Sequence, residues 1–223
     1  AAISFFLPFK VFIRITNNVN AIKIDKSFLK IFFNFALKRN YIIVPHKKLL
    51  NRNLINSNKV SILPNPIFKR NLNSQYMDNC IRDLLVSKKF KFISVGQLNY
   101  QKDHHFLLES MINLSLPEGF DYTLDIYGLG INEISLKKKI KELGLDEKVN
   151  LLGWRDNPWK NKKYIGHLLT SRSEGYPNVV LESANYSIPT IAVPIPPCTD
   201  DIILDNNIGL VSESRSSKIF GEF

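Results

Sequence analysis

Two carboxylates, Glu174 and Glu182, stand eight positions apart in the stretch Ser171-Arg-Ser-Glu-Gly-Tyr-Pro-Asn-Val-Val-Leu-Glu-Ser183, around a Gly175-Tyr176-Pro177-Asn178 turn. The residues after the turn predict a helix. Pro177 suits a first-turn position, where its missing N–H costs nothing, and Asn178 can cap. Glu174 then lies in the loop before the helix and Glu182 about one turn inside it. Between them, the amides of Gly175 to Asn178 and the positive end of a helix dipole make a ready anion site. A carboxylate does not favour a phosphate, but it accepts hydrogen bonds from hydroxyls well. Amides that seek phosphate, flanked by carboxylates that seek hydroxyls, suit a sugar nucleotide.

A second group lies upstream. Gly96 and Lys102 frame the loop Gly-Gln-Leu-Asn-Tyr-Gln-Lys, where glycine lets amides approach a phosphate and the ammonium supplies charge. Taken alone, Lys102 reads first as a solvated lysine at a helix start, with a diphosphate ligand as the alternative. Gly128 and Gly130 form a Gly-x-Gly turn that serves either a ligand or only the strand-to-helix reversal. Trp154 either walls a base pocket or fills the core. His46, His104, His105 and His167 lack metal-ligand spacing, since adjacent histidines such as His104 and His105 point apart. With no Asp-x-Asp element either, neither a metal nor a cofactor is expected.

The elements that must position these residues alternate along the chain. Strand character at 11–16 and 41–44 brackets a helical pattern at 25–39, with a helical turn within 45–58. Pro64 and Pro66 mark a linker. A polar, helical stretch runs to Ser87. Strands are then predicted at 90–95, 122–127 and 149–152, and helices at 104–113 and 133–143. Such alternation implies parallel strands with helices on both faces, and ligands bind beyond the carboxyl ends of such strands. Gly96, Gly128, Gly130, Trp154 and Glu174 all follow strand ends and would gather on one edge.

The Glu174–Glu182 stretch resembles the Glu-x7-Glu signature of family-4 retaining glycosyltransferases, which have the GT-B fold of two Rossmann-like domains. Other segments are similar in the same order. Ser61-Ile-Leu-Pro-Asn-Pro-Ile67 resembles the interdomain hinge, and Phe92 to Lys102 the first C-terminal-domain strand with its phosphate loop. Leu124-Asp-Ile-Tyr-Gly-Leu-Gly130 and Val149-Asn-Leu-Leu-Gly-Trp154 resemble the next two strands and their turns. Pro189 to Pro194 and Asn207 to Val211 resemble the later ones. The similarity spans roughly residues 11 to 212.

The resemblance implies that residues 1–66 are the last part of an acceptor-side domain and 67–223 a nucleotide-sugar-binding domain. It implies transfer of a sugar from a nucleotide diphosphate sugar, a UDP-sugar by expectation, to a cell-envelope or lipid-linked glycan with retention. Glu174 would touch the donor sugar and Glu182 the ribose hydroxyls. Lys102 and the amide N–H groups of Gly175, Tyr176 and Asn178, with Pro177 shaping the turn between them, would stabilise the leaving diphosphate. Gly96, Gln97, Gly128, Trp154 and Arg155 complete the donor site, the backbone of Arg155 reading the base edge. The family commonly has Arg where Gln97 stands, and a Gly-rich turn near Cys198. Arg14, Thr16 and Asn17 lie where relatives keep acceptor-side residues. The alternative is a non-catalytic module that binds a nucleotide sugar or another anion.

The composition fits these expectations. At 223 residues and 44% hydrophobic content the chain can bury a sizeable core. Two cysteines exclude a disulfide scaffold and fit a reducing cytosol, at the inner face of a plasma membrane if the acceptor is lipid-linked. A net charge of +10 attracts anions, but the basic residues are scattered and carry no nucleic-acid-binding signature, so nucleic acid is not an expected partner. The basic, Phe-rich segment 25–39 either covers the first domain's sheet or lies against anionic lipid. A start without Met, together with the partial first domain, marks the chain as an expected fragment of a longer enzyme.

Overall fold

The computed structural model describes residues 12–14, 41–49, 60–66, 75–160 and 163–222. The chain divides into two compact units, residues 1–66 with Glu174–Tyr176, and residues 67–173 with 177–223. The helical pattern at 25–39 and the residues Thr16 and Asn17 lie outside the described residues, as do residues 50–58 of the segment expected to hold a helical turn.

The first unit contains a parallel three-stranded sheet of β1 (Phe12–Arg14), β2 (Tyr41–Val44) and β3 (Val60–Ile62), in that spatial order. Ile42 and Val44 alternate with less buried neighbours along β2, and with Leu49, from a single 3-10 turn at Lys47–Leu49, they are buried. At the end of β1, the Arg14 guanidinium donates to the Asn65 side-chain oxygen.

The second unit is built on a parallel six-stranded sheet of β4 (Lys89–Val95), β5 (Asp121–Tyr127), β6 (Val149–Leu151), β7 (Gly166–Leu169), β8 (Thr190–Ala192) and β9 (Gly209–Val211). Their spatial order is β6-β5-β4-β7-β8-β9, so the chain reverses direction across the sheet between β4 and β7. Ligands of open α/β sheets bind at such a switch point. Helices α1 (Gln75–Ser87), α2 (His104–Ile112), α3 (Glu133–Glu142), α4 (Asn178–Asn185), α5 (Thr199–Asp205) and α6 (Ser217–Gly221) fill the connections.

Period-two alternation assigns the two faces of the sheet. On one, Tyr122 donates its hydroxyl to the Met111 carbonyl of α2 at 3.0 Å, and Leu124 and Ile126 share that face. On the other, Ile93 and Tyr127 form a cluster with Trp159, Tyr164 and Ile188, against which Val179 of α4 and Tyr186 just after it pack. Helices therefore cover both faces. Removing a side chain as enclosed as Leu124 would cost about 2–5 kcal/mol.

Two sequence expectations change in detail. Pro177, not Asn178, is the N-cap of α4; it is extended (φ −77°, ψ 90°), and no side chain caps the helix. Asn178 becomes the first helical residue, so it has lost the geometry a cap needs. Trp154 is 68% exposed and fills no core, whereas Trp159, five residues on, is buried. The strand before the Glu174 stretch, in which Gly and His interrupt the apolar run, is buried along its whole length, because the His167 ring nitrogen Nδ1 meets Thr190 Oγ1 at 3.0 Å.

Candidate functional site

Backbone hydrogen bonds knit the loops at the carboxyl ends of β4, β5 and β6. The Gly96 amide donates to Tyr127 O at 2.9 Å, Leu98 to Leu129 O at 3.0 Å, Asn132 to Leu98 O at 3.0 Å, and Gly128 to Gly153 O at 2.9 Å. This closeness explains the Gly-x-Gly pair. A Cβ on Gly128 would lie 1.8 Å from Gly96 O, and one on Gly130 2.3 Å from Leu98 O. Gly128 also has φ +151°, which L side chains rarely adopt. Of the two readings of this motif, the backbone approach already demands both glycines.

At the end of β4, the aliphatic part of Lys102 runs across Gly96. A Cβ there would stand 3.1 Å from both Cδ and Cε of the lysine, so the glycine makes room for that side chain. The intervening loop is held by its own polar groups: Asn99 Oδ1 accepts from the Lys102 amide at 3.0 Å, and Asn99 Nδ2 donates to Gln97 Oε1 at 3.1 Å. The Lys102 ammonium also acts on two buried histidines. Burial, reinforced by that charge, pushes His104 down to about 4 and His167 down to about 3. Both rings are neutral at pH 7 and leave the cationic role to Lys102.

The loop that ends at Lys102 is lashed to the loop after β7, which leads into the Glu174 stretch. Asp103, in the left-handed region (φ 51°), caps α2 and is buried. Its Oδ2 accepts from Arg215 Nη2 at 2.6 Å and from Arg172 Nη2 at 2.7 Å. Arg215 also donates to Thr170 O at 2.8 Å and Ser171 O at 2.9 Å. The Arg172 amide donates to Gln101 O at 2.7 Å, and Gln101 Nε2 to Ser173 O at 2.9 Å. Sequence reasoning missed Asp103 and Arg215. An Asp just before a helical run is a cap signal, but nothing near Arg215 announces a partner so far away in sequence.

On α4, Glu182 stands in the second turn, where its Oε2 accepts from the Trp159 indole N–H at 3.3 Å. Trp159 packs edge-on to His167, with ring centroids 5.2 Å apart. Below them Ser183 Oγ and Thr190 Oγ1 meet at 2.9 Å, so a buried polar chain ties α4 to the sheet. Trp159 is a third residue the sequence did not flag. Glu174 is 8% exposed and, with Gly175 and Tyr176, groups with the first unit. Trp154 and Arg155 are exposed beyond β6. The buried Ser171 and Thr199 hydroxyls, just past β7 and at the start of α5, have no partner among the described residues.

The second unit thus brings Gly96, Gln97, Lys102 and Gly128 to one sheet edge and fixes Glu182 on the helix after β7. The family model for glycosyl transferases group 1 matches residues 81–222, and the chain belongs to that family. The chain is 30% identical over 209 residues to the N-acetylgalactosamine-N,N'-diacetylbacillosaminyl-diphospho-undecaprenol 4-alpha-N-acetylgalactosaminyltransferase of Campylobacter jejuni, covering 88% of this chain and 52% of that protein. It is 28% identical over 144 residues to the lipopolysaccharide 1,6-galactosyltransferase of Salmonella typhimurium, covering 60% of this chain and 40% of that one. The chain therefore spans about half or less of the length of these curated relatives. The solved structure of Anabaena Alr3699/HepE in complex with UDP superposes with a TM-score of 0.75 over 98% of this chain and 62% of that one, at 15% identity. That likeness gives the fold class, the GT-B architecture of Rossmann-like domains.

Proposed function

We propose that the chain carries the donor-binding part of a retaining glycosyltransferase that moves a sugar from a UDP-sugar to a lipid-linked or cell-envelope glycan. The observation that carries this reading is Lys102, folded across Gly96 at the carboxyl edge of β4, beside the topological switch. Negative charge develops on the departing diphosphate in the transition state, so a cation already in place there lowers the barrier. Glu182, held by the Trp159 indole, keeps acceptor capacity for ribose hydroxyls. Glu174 orients the donor sugar, and Trp154 with Arg155 frames the base. No side chain acts as a nucleophile. The reading is metal-independent because the sequence has no Asp-x-Asp element, and it places the protein in the cytoplasm, at the inner face of the membrane. The substrates named for the relatives support the substrate class: undecaprenol-linked glycan for the Campylobacter protein and lipopolysaccharide for the Salmonella one.

Gln97 favours a second reading, a module that binds the nucleotide sugar without turning it over. Its amide is engaged with Asn99 and brings no charge to the phosphate loop, where the family commonly has Arg. Incubation with radiolabelled UDP-sugars and a membrane lipid extract separates the two. Labelled glycolipid with a retained anomeric configuration by NMR supports transfer; UDP binding without product supports the module. An inverted product contradicts the retaining reading.

A further inference from the structure

Between β5 and α3, apolar side chains stand outside the fold. Ile131 is 89% exposed, Ile134 83% and Leu129 57%. Leu129 reaches the neighbouring loop, its Cδ2 3.9 Å from where a Cβ on Gly153 would sit, and the exposed Trp154 follows directly. Single exposed apolar residues are ordinary; large ones on adjoining loops form the kind of patch that marks an interaction surface.

Along α3 the same stripe turns cationic. Residues three, four and seven positions after Ile134 share its helix face, and these are Lys137, Lys138 and Lys141, all exposed. Leu136 and Ile140 are buried on the other side. The acidic residues of α3, Glu133 and Glu142, pair with Lys137 and Lys138 at 2.6 and 3.6 Å, while Lys139 turns to Glu109 at 3.0 Å. Such exposed pairs are weak and yield to a denser array of anions. An apolar tip with a lysine stripe behind it does not suit a protein partner, because lysine is depleted at protein interfaces. It suits a lipid surface, where isoleucine enters the boundary of headgroups and acyl chains and lysine stems reach lipid phosphates.

We propose that the Ile131–Ile134 end of α3, with Lys137, Lys138 and Lys141, docks on an anionic bilayer. The proposal does not rest on the donor reading and uses none of residues 25–39. The test is flotation of the chain with phosphatidylglycerol-containing and pure phosphatidylcholine vesicles. The comparison variants are I131S/I134S and K137Q/K138Q/K141Q, whose side chains are exposed and whose folding is checked by thermal melting. The chain is expected to float with the anionic vesicles and much less with the neutral ones. I131S/I134S should lower binding about tenfold or more. The lysine variant should lower it several-fold and flatten its salt dependence. No flotation, or flotation unchanged in I131S/I134S, overturns the proposal. So does a concentration-dependent dimer that I131S/I134S abolishes without any effect on vesicle binding, which would make the patch a protein interface.

Discussion

Arg215 Nη2 lies 2.6 Å from Asp103 Oδ2, joining the start of α2 to a residue 112 positions later in the chain. Arg215 stacks its guanidinium 4.8 Å over Phe106 and binds two carbonyls after β7, so one side chain fixes the phosphate loop against the loop that precedes Glu174. Arg172, by contrast, is more exposed and lies 4.2 Å over the Tyr100 ring.

Removing Arg215 should therefore cost more than removing Arg172. Arg215→Met leaves Asp103 buried with one partner fewer and two carbonyls unpaired, and is expected to destabilise by about 2–3 kcal/mol. Arg172→Met should cost about 1 kcal/mol or less. Arg215→Lys should not restore stability, because an ammonium cannot reproduce the planar fork. Urea denaturation checks all three, and equal losses for the two arginines would contradict the clamp.

Gly128→Ala tests the knitting of the loops. Its Cβ would collide with the Gly96 carbonyl, which belongs to backbone and cannot step aside. We expect a loss above about 3 kcal/mol or failure to fold. Gly144→Ala, where φ is +63° but nothing lies within 4 Å, should cost only about 1 kcal/mol of backbone strain. Similar melting temperatures for the two variants would contradict this.

His104 and His167 set an acid limit. Both are held below their ordinary value of 6.5, to about 4 and about 3, by burial first and then by Lys102. The unfolded chain takes up protons below pH 6.5 that the folded chain refuses, so their neutral burial is tolerated in full above that pH. Stability is expected to fall from pH 6.5 toward pH 4, approaching about 1.4 kcal/mol per pH unit for each histidine. Denaturation across pH 7 to 5 measures the slope, and His104→Gln should reduce it. A flat profile over that window would contradict the assignment.

Trp159→Phe keeps an aromatic ring against His167 but removes the donor to Glu182. We expect a stability change of about 1 kcal/mol and UDP binding weakened several-fold, as the carboxylate loses its fixed orientation. Calorimetry on a variant that melts normally yet binds as the parent does would detach Trp159 from the site.

Much of this was legible in the sequence because the signals are local. Alternating apolar runs gave β4, β5 and β6 within a residue of their observed ends, and the Gly-Tyr-Pro-Asn turn placed α4 directly after it. Trp154 and Trp159 show where legibility stops. Trp154 follows a strand end and was read as a base wall or core residue, Trp159 carried no local signal, and only tertiary packing decides that the second is the buried one. The Asp103–Arg215 pair was invisible for a similar reason: its partners meet only after β7, β8 and β9 have been laid down. The cap was misassigned by one residue because Asn is the better capping side chain, yet the backbone placed Pro177 there instead.

The central claim is that Lys102 meets a diphosphate at the end of β4. Calorimetric titration of the chain and of Lys102→Ala with UDP and with uridine tests it most directly. UDP is expected to bind more tightly than uridine, and Lys102→Ala to weaken UDP roughly tenfold to a hundredfold, as befits a charge-assisted hydrogen bond, with uridine little changed. No UDP binding by the parent chain, or equal losses for the two ligands, would contradict it.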